Sequence, residues 1–322
     1  MQKYQPANSF ETPRFCGPRT FMRLPYKPTL QDVDFIVAGI PFDTGGSFRI
    51  GTRFGPGAIR NTSILLRPYN PNLEVNIFDY LSGVDYGDIA VIPGYIEDSY
   101  EKIQKAIEPV IAAGVVPVFM GGDHSITLPE LRAIAKVKGK VALVHFDSHS
   151  DTWDAYFGKP YNHGTPFRRA LEEGLLDPDH SIQVGLRGPL YNPDDWQTAR
   201  NLGLEVVTAR QVRELGLAET ARRIKERVGT QQVFISFDID FLDPAYAPGT
   251  GTPEIGGFTT WEAQYLLHHA LTGLNYAGFD LVEVLPAHDH SEITAFAAAG
   301  MIYEFISLMA LNKKANNEIP VK

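Results

Sequence analysis

Strongly apolar runs that alternate with helical patterns are the feature that most constrains how this chain folds. Most of the runs are nearly continuous in Val, Ile, Leu and Phe, which is typical of strands buried on both faces of a parallel sheet. The predicted strands are 34–42, 115–123, 141–149, 181–188, 204–209, 232–240 and 276–286. The predicted helices are 96–114, 128–139, 214–229 and 259–273, and each of them ends on a glycine. This alternation predicts an α/β fold with a doubly wound, mostly parallel sheet.

The same alternation indicates how many domains the chain forms. Because no linker-like stretch interrupts it, residues 31–322 are predicted to form a single domain. Residues 1–30 are rich in proline and are predicted to form an irregular N-terminal arm. Such an arm is either frayed or docked on a neighbouring subunit.

Charge and composition exclude some classes of partner. The formal net charge of −9 disfavours binding to nucleic acid and mildly favours a cationic ligand. The single cysteine, Cys16, excludes an internal disulfide and fits a reducing compartment. No targeting signal is visible at the start and no run of 18 apolar residues occurs. We therefore expect a cytoplasmic protein that does not interact with a membrane.

Polar clusters follow three of the predicted strands, at the sheet edge where ligands bind in open parallel sheets. In the cluster 144–154, Asp147, His149 and Asp151 are spaced two residues apart, so an extended chain would project them to one side. The cluster 118–125 contains His124, which follows two glycines. The cluster 236–244 contains Asp238, two residues before Asp240.

Each cluster alone is better explained as a loop with solvated polar residues, but three clusters at three strand ends are not. Two like charges 4 Å apart cost about 4 kcal/mol at an effective dielectric constant near 20. Several such pairs would rival the stability of a whole domain, which is roughly 5–15 kcal/mol. Converging carboxylates therefore need cations. Four Asp and two His are too many ligands for one catalytic zinc, and they suit two ions, with Mn²⁺ preferred over Zn²⁺.

Two further residues are candidates for the chemistry. His163 lies in the loop YNHGTPF, where a substrate could contact it, and the alternative is a surface histidine that precedes a helix. Glu283 lies in the apolar run DLVEVLP, where a carboxylate is costly to bury without a cationic partner. The alternative for Glu283 is a structural ion pair with an arginine.

Five motifs give the chain a resemblance to the ureohydrolase family, in the agmatinase and guanidinobutyrase branches. The motifs are GGDHSIT (121–127), HFDSHSDTWD (145–154), HGTPFR (163–168), SFDIDFLDPAYAPGTGTPEIGG (236–257) and VEVLPAHDHSEIT (282–294). The resemblance covers nearly the whole chain and implies a three-layer α/β/α domain of the arginase kind. One departure is Ser148, where relatives commonly have Ala.

The resemblance also implies a role for each candidate residue. One metal ion would be bound by His124, Asp147, Asp151 and Asp238, and the other by Asp147, His149, Asp238 and Asp240. Asp147 and Asp238 would bridge the two ions, which would be Mn²⁺, with Ni²⁺ as an alternative. His163 would transfer a proton and Glu283 would hold a guanidinium group. The expected reaction releases urea and an amine, and the expected assembly is a homotrimer or homohexamer.

The identity of the substrate depends on the group at the far end of the guanidino compound. The motif AHDHSEITA (287–295) and the negative net charge favour agmatine, whereas LLRPYNP (65–71) favours 4-guanidinobutyrate, and guanidine itself is a third candidate. The loop 153–162 is expected to line this end of the pocket, and it offers both Asp154 and Lys159. Outside this reaction, the alternatives are a single-zinc deacetylase of related fold and a catalytically silent supporting subunit.

Overall fold

An eight-stranded parallel sheet is the centre of the structure, a computed structural model that describes residues 3–316. The strands within these residues are β1 Phe35–Gly39, β2 Tyr69–Asn70, β3 Val75–Asn76, β4 Gly83–Asp88, β5 Val116–Met120, β6 Ala142–Phe146, β7 Ile182–Leu186, β8 Glu205–Thr208, β9 Gln232–Asp238 and β10 Asn275–Val282. The order in the sheet is β4-β1-β5-β10-β9-β6-β7-β8, and β2 and β3 form a separate antiparallel pair. The parallel α/β sheet predicted from the sequence is confirmed.

Helices cover both faces of the sheet and make three layers. They are α1 Gly55–Ser63, α2 Ile77–Tyr80, α3 Ile96–Ala112, α4 Thr127–Lys138, α5 Pro166–Glu172, α6 Asp195–Asn201, α7 Ala209–Leu215, α8 Leu217–Val228, α9 Thr260–Leu271 and α10 Ile293–Ala315. Alternate residues of β1 belong to two different cores: Phe35 and Val37 to one, and Ile36 and Ala38 to the other. Burial on both faces explains why the strands are almost continuously apolar.

Some elements differ from those predicted. The predicted helix 214–229 is interrupted, because Gly216 adopts a φ of 84° and separates α7 from α8. The strand β4 was not predicted, since its sequence GVDYGD is polar and it lies at the sheet edge. The helix α10 was also not predicted, because it is apolar on all sides and lacks a helical period. By length and composition α10 could cross a membrane, but 78% of its apolar window is buried inside the protein, as in a core helix.

The N-terminal arm packs against its own chain at both ends. Tyr4, Phe21 and Met22 are buried in the two cores. Asp85 of β4 donates its backbone N–H to the Pro25 carbonyl, so the arm also covers the outer edge of β4, which has no neighbouring strand on that side. The residues between these contacts are largely exposed. Residues 1, 2 and 317–322, which the predicted domain boundaries include, lie outside the described residues.

Candidate metal centre

The six predicted metal ligands lie together at the carboxyl end of the sheet. Each of them follows or ends one of three strands, β5, β6 or β9. In the sheet β6 lies next to β9, and β10 lies between β9 and β5. His124 begins the short 3₁₀ turn after β5. The backbone there approaches the segment after β1 closely because Gly122 has no side chain: a Cβ would lie 1.7 Å from the Phe42 carbonyl oxygen. Asp238 is the last residue of β9. The topology therefore brings distant parts of the sequence to one site.

His124 is the centre of the first group of ligands. Its Nδ1 lies 3.1 Å from Asp147 Oδ2, 3.0 Å from Asp151 Oδ2 and 3.1 Å from Asp238 Oδ2. Although His124 is fully buried, this nitrogen has no hydrogen-bond partner among residues 3–316. A buried nitrogen that faces three carboxylate oxygens fits a metal ion bound between them.

His149 is the centre of the second group. Its Nδ1 lies 3.0 Å from Asp240 Oδ2 and 3.5 Å from Asp147 Oδ1. Asp147 therefore faces both groups, with one oxygen in each, which is the position of a bridging carboxylate. Asp238 has one oxygen in the first group and accepts the backbone N–H of Asp240 with the other, at 2.9 Å. Its bridging role stays a prediction.

The electrostatics of the site favour added positive charge. Burial and the nearby charges of Asp240 and Asp147 raise the pKa of Asp238 well above its ordinary value. Burial alone would lower the pKa of His124, but the carboxylates of Asp147, Asp151 and Asp238 close to its Nδ1 outweigh burial and raise the pKa well above the ordinary value. Both shifts show that the cluster gains by taking up cations. Its oxygen-rich donors with two imidazoles suit two divalent ions.

The loop after β6 reaches this arrangement in a different way from the one predicted. β6 ends at Phe146, so Asp147, His149 and Asp151 lie in a loop and not in an extended strand, and Asp151 has a φ of 52°. A hydrogen bond between two of the proposed ligands stabilises the loop: the backbone N–H of His149 donates to Asp147 Oδ1 at 2.6 Å. Ser148 donates both its hydroxyl, at 2.8 Å, and its N–H to Asp240 Oδ1, so this departure adds a hydrogen bond to a ligand.

Sequence reasoning missed His145, which contacts the same centre. Its Nε2 lies 2.7 Å from Asp147 Oδ2, and its Nδ1 lies 2.9 Å from the Gln183 side-chain nitrogen. The amide donates to Nδ1, so the ring proton is on Nε2 and donates to Asp147. His145 therefore orients a ligand. Its position two residues before Asp147, on the same side of a strand, was the signal available in the sequence.

Glu283 and His163 form a pair beside the metal centre. Glu283 follows the last residue of β10 and has a φ of 65°, an uncommon conformation for a residue other than glycine. Its Oε1 accepts the backbone N–H of His124 at 2.9 Å and lies 3.2 Å from His163 Nδ1. An arginine partner for Glu283 is not found within residues 3–316, so the alternative of a structural ion pair with an arginine is wrong.

The environment of His163 favours the charged form of its ring. Burial lowers its pKa, but the hydrogen bond and the charge of Glu283 outweigh burial, and the net pKa is raised. Its other nitrogen, Nε2, lies 2.6 Å from the Ser47 hydroxyl. His163 is thus partnered on both nitrogens and is not a free surface histidine.

A cavity of about 550 Å³ opens onto these residues. His149, Asp151, Asp238 and His163 line it on the side of the metal centre. Its other walls are formed by aromatic residues and by a few charged ones: Phe48, Trp153, Tyr156, Tyr191, Trp196, Arg49, Arg187, Asp195 and Glu254.

The charged residues expected in the loop 153–162 do not face this cavity. Neither Asp154 nor Lys159 lines it, and Asp154 is paired with Arg169 at 2.6 Å. The charged side chains that line the cavity, apart from those at the metal centre, come instead from Arg49, Arg187, Asp195 and Glu254. The loop contributes Trp153 and Tyr156, whose rings stack 5.0 Å apart.

Comparison with characterised proteins gives consistent results. Residues 33–307 match the model of the Arginase family. The chain is 45% identical to a guanidinopropionase of Pseudomonas aeruginosa, over 95% of this chain and 96% of that protein. It is 43% identical to a guanidinobutyrase of the same organism, covering 95% and 97%, and 44% identical to an agmatinase of Proteus mirabilis, covering 91% and 94%.

Solved structures show the same likeness. A proclavaminate amidinohydrolase from Streptomyces clavuligerus superposes with a TM-score of 0.90 at 42% identity, over 94% of this chain and 100% of that one. A formiminoglutamase of Trypanosoma cruzi, determined with Mn²⁺, superposes with a TM-score of 0.81 at 26% identity, over 90% and 98%. Sequence, fold and the carboxylate–histidine centre agree: the chain belongs to the arginase family and is a hydrolase of carbon–nitrogen bonds in linear amidines.

Proposed function

We propose that this protein hydrolyses a small guanidino compound to urea and an amine, using two divalent metal ions per subunit. The observation that carries the proposal is the joint placement of two histidine–carboxylate groups and the Glu283–His163 pair at one cavity. Neither feature alone specifies the reaction, because many hydrolases bind two metals. A carboxylate that is free of metal contacts and lies beside such a centre is what a cationic guanidino group needs.

The proposed ligands are the six side chains described above, His124, Asp147, His149, Asp151, Asp238 and Asp240. When bound, the metal ions supply an activated water as the nucleophile. Mn²⁺ is the proposed metal, because oxygen-rich donors with some imidazole suit it and because the similar formiminoglutamase was determined with Mn²⁺. Ni²⁺ is the alternative.

The other groups act on the substrate. Glu283 accepts the parallel N–H groups of a planar guanidinium, which fixes the guanidino carbon next to the metal centre. His163 donates a proton to the leaving amine, and the carboxylate of Glu283 at 3.2 Å keeps its ring protonated for that step. The aromatic walls of the cavity surround the remainder of the substrate.

The proposed substrate is agmatine, with 4-guanidinobutyrate as the alternative. The cavity offers a group for either tail: Glu254 and Asp195 can pair with the ammonium of agmatine, and Arg49 with the carboxylate of 4-guanidinobutyrate. The agmatinase matches the chain at a sequence identity similar to that of the guanidinobutyrase and the guanidinopropionase. Guanidine, which has no tail, is the smallest candidate.

Urea release from a panel of substrates tests this function. The panel contains agmatine, 4-guanidinobutyrate, 3-guanidinopropionate, arginine and guanidine, each assayed with protein loaded with Mn²⁺ and with Ni²⁺. Metal content per chain after dialysis is measured in parallel. Two ions with urea release support the proposal, one ion supports a deacetylase, and no metal and no urea support a silent subunit. We further propose a homotrimer or homohexamer in the cytoplasm.

A further inference from the structure

Behind the metal centre lies a second group of buried carboxyls, which the proposed reaction does not use. Glu130 of α4 and Asp280 of β10 are both fully buried, and neither lines the cavity. Asp280 accepts hydrogen bonds from Ser236 Oγ at 2.7 Å and from Thr127 Oγ1 at 2.6 Å. Neither carboxyl oxygen of Glu130 has a donor within residues 3–316.

Glu130 is therefore neutral. An ionised carboxylate without water or a donor is strongly disfavoured, and here a second carboxyl lies beside it. Burial, the charge of Asp280 and a hydrogen bond to Asp280 raise the pKa of Glu130 well above its ordinary value. The neutral acid has an O–H to donate, and Asp280 is the acceptor next to it. Asp280 then accepts from Glu130 as it accepts from the hydroxyls of Ser236 and Thr127.

Asp280 is linked to the metal centre through one hydroxyl. Ser236 donates to Asp280, so the Ser236 oxygen is the acceptor for His124 Nε2, 2.8 Å away. A metal ion can bind only a neutral His124 ring, and a neutral ring with its proton on Nε2 presents an unprotonated Nδ1, the atom that faces the three carboxylates. If Asp280 held the proton, it could donate to Ser236, and Ser236 would then donate to Nε2. The ring proton would move to Nδ1, where it blocks metal binding.

We propose that Glu130 is a positioning residue that holds the proton of the Glu130–Asp280 pair and thereby keeps His124 in its metal-binding tautomer. The proposal rests on the metal centre proposed above. It assigns Glu130 no contact with substrate or metal. Groups that orient metal ligands from behind typically change metal affinity roughly 10- to 100-fold when they are removed.

Two substitutions of similar size separate this role from simple packing. Glu130→Gln retains an N–H that donates to Asp280, and we expect it to keep the wild-type affinity for Mn²⁺. Glu130→Met removes the donor, and we expect the affinity, measured by chelator competition, to fall roughly 10- to 100-fold. Because Met also removes a buried polar group, thermal stability of the metal-free protein should not fall in parallel. Glu304→Met is the control, since this buried carboxylate accepts from Asn70 and His268 and is not linked to His124.

Infrared spectroscopy tests the protonation without depending on the folding of Glu130→Met. The wild type at neutral pH should show the carbonyl band of a protonated carboxylic acid, and the part of this band that Glu130 contributes should appear in the difference between the spectra of the wild type and Glu130→Gln. The proposal is overturned if the band is absent from this difference, if Glu130→Gln weakens Mn²⁺ binding as much as Glu130→Met, or if Glu130→Met binds normally. A wild-type protein that binds no metal would overturn the proposed function instead, and the infrared band would still report on Glu130.

Discussion

Glu283 is the residue that best separates a guanidino hydrolase from other hydrolases with two metals. Its backbone φ of 65° and its hydrogen bond from His124 hold the carboxylate beside the metal centre but outside the ligand set. Uncommon backbone conformations of this kind are concentrated at functional sites. A Cβ on Gly251 would lie 3.4 Å from Glu283 Oε2, so the absence of a side chain there leaves room beside this oxygen.

Glu283→Gln keeps the shape of the side chain but removes its charge. We expect kcat/KM for urea release to fall roughly 30- to 1000-fold, because losing one partner of a buried charge pair costs on the order of 2–4 kcal/mol. Metal content should stay at two ions per chain. Loss of an ion would show that Glu283 is a ligand, and normal turnover with both ions would show that no guanidinium is held there.

Arg49 tests the charge of the substrate tail. It lines the cavity and pairs with no carboxylate in the described part of the chain. Arg49→Gln should raise KM for 4-guanidinobutyrate about 2- to 5-fold, since partly exposed charge pairs contribute up to about 1 kcal/mol. KM for agmatine should fall or stay constant, because a repulsive charge is removed. Lys159→Gln, on a residue that does not line the cavity, is the control. Equal effects on both substrates would mean that Arg49 does not face the tail.

Among the elements, the turn between β5 and α4 positions His124. It thereby positions both the ring that faces the carboxylates and the backbone N–H that donates to Glu283. Gly122→Ala would put a Cβ 1.7 Å from the Phe42 carbonyl oxygen, so the backbone must move. We expect a loss of about 1–3 kcal/mol in stability, as for other overpacked sites, together with reduced metal content. Melting curves and metal analysis measure both. Gly57→Ala, on an exposed helical glycine with nothing within 4 Å of its Cβ, should be neutral or stabilising. Full metal content in Gly122→Ala would contradict this account of the turn.

The whole molecule should be stabilised by its metal ions, because the site gathers mutually repelling carboxylates. Chelation should abolish urea release and lower the melting temperature together, and Mn²⁺ should restore both. A free metal concentration 100 times the Kd stabilises a protein by about 2.7 kcal/mol per site. Full activity after confirmed removal of metal would refute the metal-dependent reaction.

Assembly is the second property of the whole molecule that can be tested. Several large apolar side chains are exposed in the single chain, among them Phe10, Phe15 and Ile255. We expect sedimentation at micromolar protein to show a trimer or hexamer of the 35.7 kDa chain. A stable monomer would rule out the proposed assembly.

The sequence by itself determined the architecture and the positions of the ligands along the chain. Continuous apolar runs fix strands that are buried on both faces, and side chains after β5, β6 and β9 must meet because these strands end at one edge. The capping box of α9 is also readable locally, since Thr259 and Glu262 satisfy each other's backbone N–H. The edge strand β4 and the buried helix α10 were missed, because neither carries the period of an amphipathic element.

Only the tertiary structure decided which atoms face each other. The spacing of Asp147, His149 and Asp151 suggested an extended strand, yet these residues lie in a loop, in which Asp151 faces His124 and His149 faces Asp240. The charged side chains that line the cavity beside the metal centre belong to Arg49, Arg187, Asp195 and Glu254, which lie outside the loop expected to supply them. Gln183, the partner of His145, lies on the neighbouring strand β7, whereas Ser236, the partner of His124, lies on β9, two strands away from β5. Such contacts depend on strand order and side-chain direction, and a linear pattern carries neither.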